Sequence, residues 1–160
     1  MPELMAKPIF QLGAVQGRVE LPAGLASHAG ALGAEHYERQ AAQEFCGDEP
    51  ESYLPPPWLP SIDTLVPAAD LLPLGVRWTG VVRGDELLAT VGVDQHIDDA
   101  YGLLLCIVLH NDGLTFRQGR SSIKPAAGDW FIFDDRLNHG VKEARGASTF
   151  VALVLPLIPA

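Results

Sequence analysis

LLLCIVL, residues 103–109, is the stretch whose reading decides the fold. An unbroken apolar run has no polar side, so the element built from it must be covered on both faces. The run is far shorter than the roughly 20 residues of a membrane-spanning helix. Its length suits a strand better than a helix, and it reads as the buried centre of a β-rich core. The same texture continues around it. GVRWTGVVRG (75–84), ELLATVGV (86–93), LTFRQG (114–119), SSIKP (121–125), DWFIFDD (129–135), HGVKEA (139–144) and TFVALVLPL (149–157) are short apolar or alternating segments. Gly-Asp, Asn-Asp-Gly, Gly-Arg, Ala-Ala-Gly-Asp and Arg-Gly-Ala-Ser turn signals separate them. Strands at this spacing predict a mainly β sandwich or barrel of the jelly-roll kind. No helix-length segment lies between them, which argues against a parallel βαβ design.

The first half of the chain differs. Residues 1–20 read as an opening β segment with a turn at Gly17. Pro22 leads into an alanine-rich helix over about 25–45, with Leu25, Leu32, Tyr37, Ala41 and Phe45 near helical spacing. Gly30 and Gly33 weaken its middle, and Gly47 is its stop signal. His28 and His36 fall on it and read as ordinary helix residues. Residues 47–75 are rich in proline, with LPPPWLP at 54–60 the extreme case. That stretch reads as a surface connector anchored in the core by Trp58, with a short helical turn near 61–69. The expectation is one domain over 1–160, with the helix and loop of 1–74 packed on a β core at 75–158.

Composition narrows the function. Hydrophobic residues make up 48% and charged residues 19%, the balance of a globular protein of 160 residues. A net charge of −9, with no dense basic cluster, disfavours a nucleic-acid surface. The N-terminus lacks a signal-peptide pattern and no apolar run is long enough for a membrane span, so a soluble protein is expected. Cys46 and Cys106, the two cysteines, fall in a predicted helix end and a predicted strand. That placement points to reduced thiols and a cytoplasmic setting.

His96 and Asp98 are two residues apart in VDQHID, and on a strand such residues project from one face. With five histidines and 20 acidic residues, about 0.6 triplets of histidine, any residue and Asp or Glu arise by chance, so the pair alone says little. Its setting says more. The pair precedes the buried run, and His139 follows DWFIFDD. Strands distant in sequence are neighbours in a jelly-roll, so two histidines and a carboxylate can meet there. That donor set, with its other positions open, is the site type of non-haem Fe(II) oxygenases. Ser121, Ser122, Cys106 and the adjacent Asp134 and Asp135 lack a catalytic motif. Neighbouring carboxylates on a strand face opposite ways, which makes the last two a poor acid–base pair.

HIDDAYGLLLCIVLHND (96–112), GLTFRQGR (113–120) and IKPAAGDWFIFDDRLNHGV (123–141), followed by TFVALVLPL, together resemble the Fe(II)- and 2-oxoglutarate-dependent dioxygenases of the prolyl-hydroxylase-like branch. The likeness covers about residues 75–158, and its most specific part is Pro125-x-x-Gly128-Asp129-x-x-x-Phe133 ahead of His139. It implies a double-stranded β-helix, a cupin-like jelly-roll, with Fe(II) on His96, Asp98 and His139. It also implies 2-oxoglutarate as cosubstrate, O2 as oxidant, and Tyr101 lining the pocket. Relatives carry an arginine about ten residues after the distal histidine to bind the far carboxylate of 2-oxoglutarate. Here Thr149 stands at that place, and a threonine hydroxyl cannot form the bidentate ion pair. Arg145, in the nearby turn, and Thr149 itself are the candidate cosubstrate contacts, with Lys124, Arg117 and Arg120 as other cations on neighbouring strands. The expected activity is hydroxylation of a small molecule, a peptide or a protein side chain. Two alternatives stay open: a cupin-like metalloprotein that does not use 2-oxoglutarate, and a non-catalytic β-barrel binding module.

Overall fold

The structure, a computed structural model, describes residues 10–42, 51–53, 56, 58–59, 62–78, 87–98, 102–142, 144 and 146–160. In chain order the elements are β1 (Val15–Arg18), α1 (Ala23–Ala42), β2 (Glu51–Tyr53), α2 (Ile62–Leu65), α3 (Ala68–Leu71) and a 3-10 turn (Leu72–Leu74). Then come β3 (Val76–Trp78), β4 (Leu87–Thr90), β5 (Val93–His96), β6 (Leu103–Asn111), β7 (Thr115–Gln118) and β8 (Ser121–Ile123). β9 (Asp129–Asp134), β10 (His139–Lys142) and β11 (Phe150–Pro159) complete the chain. The protein is mainly β. A large antiparallel sheet runs β1-β9-β6-β11-β4-β2, with β3 also paired to β11, and a smaller one runs β5-β10-β7-β8.

β6 is the strand that the opening stretch predicts. Leu105, Ile107 and Leu109 enter one apolar cluster with Leu25 and Ala29 of α1, while Leu104, Cys106 and Val108 enter a second cluster. The second cluster lies between the sheets, because it also holds Phe116 of β7 and takes in Ile123 of β8 and Val141 of β10. Period-two alternation therefore feeds two cores from one strand, which is why the sequence shows no polar face there. Truncating Leu105 or Ile107, both fully buried, costs about 2–5 kcal/mol by the usual cavity penalty. Cys106 behaves as a small hydrophobe: burial pushes its thiol far up and out of the reactive range. Cys46 lies outside the described residues.

α1 covers the outer face of the large sheet along Leu25, Ala29, Gly33, His36 and Gln40, and Tyr37 is only half-buried beside that stripe. The glycines that weaken its helix propensity sit where it lies closest to the sheet. A Cβ on Gly33 would run into the Thr149 hydroxyl, and Gly30 lies over the His110 ring. Close approach compensates for lost propensity. The proline-rich connector departs from expectation at Trp58. Trp58 is 51% exposed, over Gly24 and edge-on to His28 at 5.9 Å, while Pro56 is buried. A flat indole can shield a helix surface without entering the core. Short helices at 62–65 and 68–71 replace the single turn expected there. Among the described residues, no helix is long and apolar enough to cross a membrane.

Candidate metal centre

β5 ends at His96 and β10 begins at His139, and the two histidines are direct cross-strand partners in the small sheet. Their rings lie 4.4 Å apart between centroids. The strands come this close because Gly140 has no side chain. A Cβ there would stand 2.7 Å from the Val93 carbonyl oxygen and 3.0 Å from the backbone of Gln95. Asp98 lies just past β5, where its N–H donates to the Asp135 carbonyl at 2.7 Å. That bond turns the carboxylate back toward the histidines. The three residues offer ligand atoms that all lie within 4.8 Å of one another, so the structure brings His96, Asp98 and His139 together.

Proton placement makes the group chemically specific. His96 Nδ1 is 2.7 Å from the Asp94 carbonyl and His139 Nδ1 is 2.8 Å from the Leu137 carbonyl. A carbonyl oxygen only accepts, so both Nδ1 atoms carry the proton. In a neutral ring each Nε2 then presents a lone pair, and both Nε2 atoms face Asp98 Oδ2, at 3.2 Å and 3.4 Å. Lone pairs aimed at a carboxylate repel it unless a positive charge lies between them. A divalent metal supplies that charge, as a second proton on a ring also would, and Nδ1 held by a backbone carbonyl is the usual outer support of a metal-bound imidazole. The donor set fits Fe(II), which accepts imidazole nitrogen and carboxylate oxygen. The His139 side chain is 8% exposed, against 37% for His96 and 48% for Asp98. The group is therefore walled on one side and open on the other, as a site that must admit further ligands requires.

The wall is aromatic. Phe133 meets the His139 ring at 5.3 Å, and Phe116, Phe131 and Phe133 stack on one another below it. Asp134 and Asp135 turn apart, as adjacent residues at a strand end do. Burial pushes the Asp134 carboxyl up, but it is held below its ordinary value by a two-pronged pairing with Arg136, at 3.1 Å and 3.0 Å, and by the Arg136 backbone N–H. That pairing raises the Arg136 guanidinium in turn. Asp135 Oδ1 accepts the Gly102 N–H at 2.8 Å, and the two backbones also pair, which ties down the end of the segment that begins at Asp98.

The proposed cosubstrate contacts are not brought to this group within the described residues. Thr149 is buried on the α1 side of the large sheet, where its N–H and hydroxyl donate to Asp112 at 3.1 Å and 3.4 Å. Alternation explains the placement: Phe150 and Ala152 point between the sheets, so Thr149 and Val151 point to the helix. Tyr101 and Arg145 lie outside the described residues. Arg117 alternates with the inward Phe116 and Gln118 and pairs in register with the exposed Ser122, while Arg120 and Lys124 are exposed. His110 sits at the end of β6 with its Nε2 2.9 Å from Asp112 Oδ2. Gln118 and the carbonyls of Asp94, Leu137 and Asp135 are parts of the site that sequence reasoning misses. Backbone carbonyls have no sequence signature, and a lone glutamine on a strand has none either.

No protein-family model and no curated protein matches the chain. Among solved structures it is similar to AviO1 from Streptomyces viridochromogenes Tue57, at 16% identity over 92% of this chain and 89% of that one, with a TM-score of 0.49. It is also similar to a chain in the crystal structure of Rhodobacter sphaeroides SigE in complex with the anti-sigma ChrR. There the identity is 22%, the coverage 81% of this chain and 78% of that one, and the TM-score 0.29.

Proposed function

We propose that the protein is a mononuclear non-haem iron oxygenase on a double-stranded β-helix, with Fe(II) held by His96, Asp98 and His139. The observation that carries this reading is the convergence of two Nε2 lone pairs and one carboxylate oxygen, each imidazole locked in the ligating tautomer by a backbone carbonyl. Fe(II) held by His96, Asp98 and His139 would supply O2 activation for oxidation of an unactivated C–H bond, coupled to conversion of 2-oxoglutarate to succinate and CO2. The chain's own residues do the rest. Phe133 and the aromatic stack keep water from the inner side of His139, Arg136 neutralises Asp134 beside the site, and Asp135 holds Asp98 in place. The half-exposed side of Asp98 and His96 is where substrate enters.

A second reading keeps the metal and drops 2-oxoglutarate: a cupin-like metalloprotein with another cosubstrate or none. Two observations favour it. Thr149 is turned to α1, and the described surface below His139 is aromatic rather than cationic. Anaerobic Fe(II) titration, followed by succinate release on admitting O2 with and without 2-oxoglutarate, separates the readings. One equivalent of Fe(II) with 2-oxoglutarate-dependent succinate supports the first, Fe(II) binding without succinate supports the second, and no Fe(II) binding removes both.

A further inference from the structure

Gln118 is the cross-strand neighbour of His139 on the side away from His96, so one row of the small sheet reads His96, His139, Gln118. It is buried, and its side chain crosses to the end of the large sheet. There Oε1 accepts the Asp134 N–H at 2.6 Å, while Nε2 donates to the Asp134 carbonyl at 3.3 Å and the Asn138 carbonyl at 3.0 Å. An amide that serves both the N–H and the C=O of one residue extends the β9 backbone pairing by a side chain. The Gly119 N–H adds a bond to the same Asn138 carbonyl at 2.9 Å. The stem of Gln118 has no room to retreat, because a Cβ on Gly13 would stand 2.7 Å from its Cβ.

The turn gripped at both ends in this way, residues 134–138, orients two of the three metal-facing side chains. Its Leu137 carbonyl takes the His139 Nδ1 proton, and its Asp135 carbonyl takes the Asp98 N–H. We propose that Gln118 is a positioning residue for the metal centre: its amide locks the 134–138 turn, and the turn's carbonyls aim His139 and Asp98 at a common point. The inference rests on the metal reading for its consequence, but the aiming itself is a property of the metal-free chain. Outer groups that orient ligands are worth about 10–100-fold in metal affinity, and Gln118 acts one step further out, through the backbone.

The test uses the full chain and the nearly isosteric Gln118→Met, which keeps the packing and removes the amide. Asn111→Ala serves as the comparison, since Asn111 braces a turn elsewhere through the carbonyls of Leu114 and Pro125. Co(II) titrations read the visible d–d band and the affinity, and long-range 15N–1H spectra of the metal-free proteins read the His139 tautomer at a pH where the ring is neutral. The expected result for Gln118→Met is Co(II) binding weakened about tenfold or more, an altered d–d band, and mixed Nδ1–H and Nε2–H forms of His139. Asn111→Ala should lose thermal stability and keep all three signals. An unchanged tautomer and affinity in Gln118→Met overturns the proposal, as does an equal loss in Asn111→Ala. If the native chain binds no Co(II), the metal reading falls, while the tautomer comparison still decides whether Gln118 positions His139. Should Gln118→Met fail to fold, Gln118→Glu keeps the acceptor for the Asp134 N–H and loses both donations. A native-like His139 tautomer in that variant would likewise overturn the proposal.

Discussion

The chain contains two His-x-Asp triplets, His96-Ile97-Asp98 and His110-Asn111-Asp112, and they end in different chemistry. Each brings a histidine Nε2 to a carboxylate oxygen two residues on, at 3.2 Å in one case and 2.9 Å in the other. The difference lies in the third partner. Asp112 is met by the Thr149 N–H and hydroxyl, so donors surround its carboxylate and the network closes within the protein. Asp98 is met by the Nε2 of His139, whose proton is already held at Nδ1 by the Leu137 carbonyl. Acceptors crowd around the first carboxylate and donors around the second. One is a set of donor atoms suited to a metal ion, and the other is a staple between β6, β11 and α1.

The largest expected effect comes from breaking that distinction directly. His139→Ala should remove measurable Fe(II) and Co(II) binding together with turnover, whereas His110→Ala should leave metal affinity within about twofold, since no described acceptor cluster includes it. Paired titrations check this, and equal losses would mean that the two triplets had been wrongly told apart. Next come the two close-approach glycines. Gly140→Ala pushes β10 from β5 and separates His139 from His96. It should cost about 1–3 kcal/mol of stability by overpacking and weaken metal binding as well. Gly33→Ala presses on Thr149 from α1 and should also destabilise, less any helix-propensity gain of about 1 kcal/mol, with metal affinity intact. Denaturation midpoints measured beside Co(II) affinities separate the pair.

Thr149→Val is a smaller perturbation that sharpens the cosubstrate question. It removes the hydroxyl donation to Asp112 and keeps the N–H, for a loss of about 0.5–1.5 kcal/mol. On the placement of Thr149 against α1, the variant should not alter any dependence on 2-oxoglutarate. A raised KM for 2-oxoglutarate would return Thr149 to the cosubstrate site. The smallest effect is a pH dependence. Desolvation is the largest single influence on Asp112 and raises it, but the His110 hydrogen bond, the Thr149 N–H and hydroxyl, and the His110 charge together bring it below 3.8. A carboxyl depressed on folding contributes stability above its unfolded value that is lost as pH falls through the folded one. Asp112→Asn should therefore lower stability at neutral pH and flatten the acid limb of the profile below about pH 4, where variant and native chain converge, as thermal midpoints from neutral to acid pH would show.

Much of this architecture was legible in the residues. The double-sided apolar run is β6, the other segments mark the described strands β3 to β5 and β7 to β11, with ELLATVGV divided between β4 and β5, and the alanine-rich stretch is α1. The grouping of His96, Asp98 and His139 was legible as a set of candidates, because His96 and Asp98 lie two apart at a strand end and His139 opens the strand after β9. Trp58 was not legible, because an aromatic between prolines can shield a surface as readily as fill a core. Thr149 was not legible either. Its offset from His139 pointed to the pocket, but one step of alternation along β11 sends it to the opposite face of the sheet.

Strand periodicity is a local property, and so is the supply of donor atoms. The sequence by itself therefore determined the two cores fed by β6 and offered His96, Asp98 and His139 as candidate ligands, with a second His-x-Asp pair at His110 and Asp112. Which pair meets a third lone pair and which meets a hydroxyl depended on register. His139 falls opposite His96 in the small sheet, and Asp112 falls beside Thr149 at the start of β11. Only the tertiary structure decided that, because pairing between strands is set by the packing of whole faces and not by the residues of either triplet.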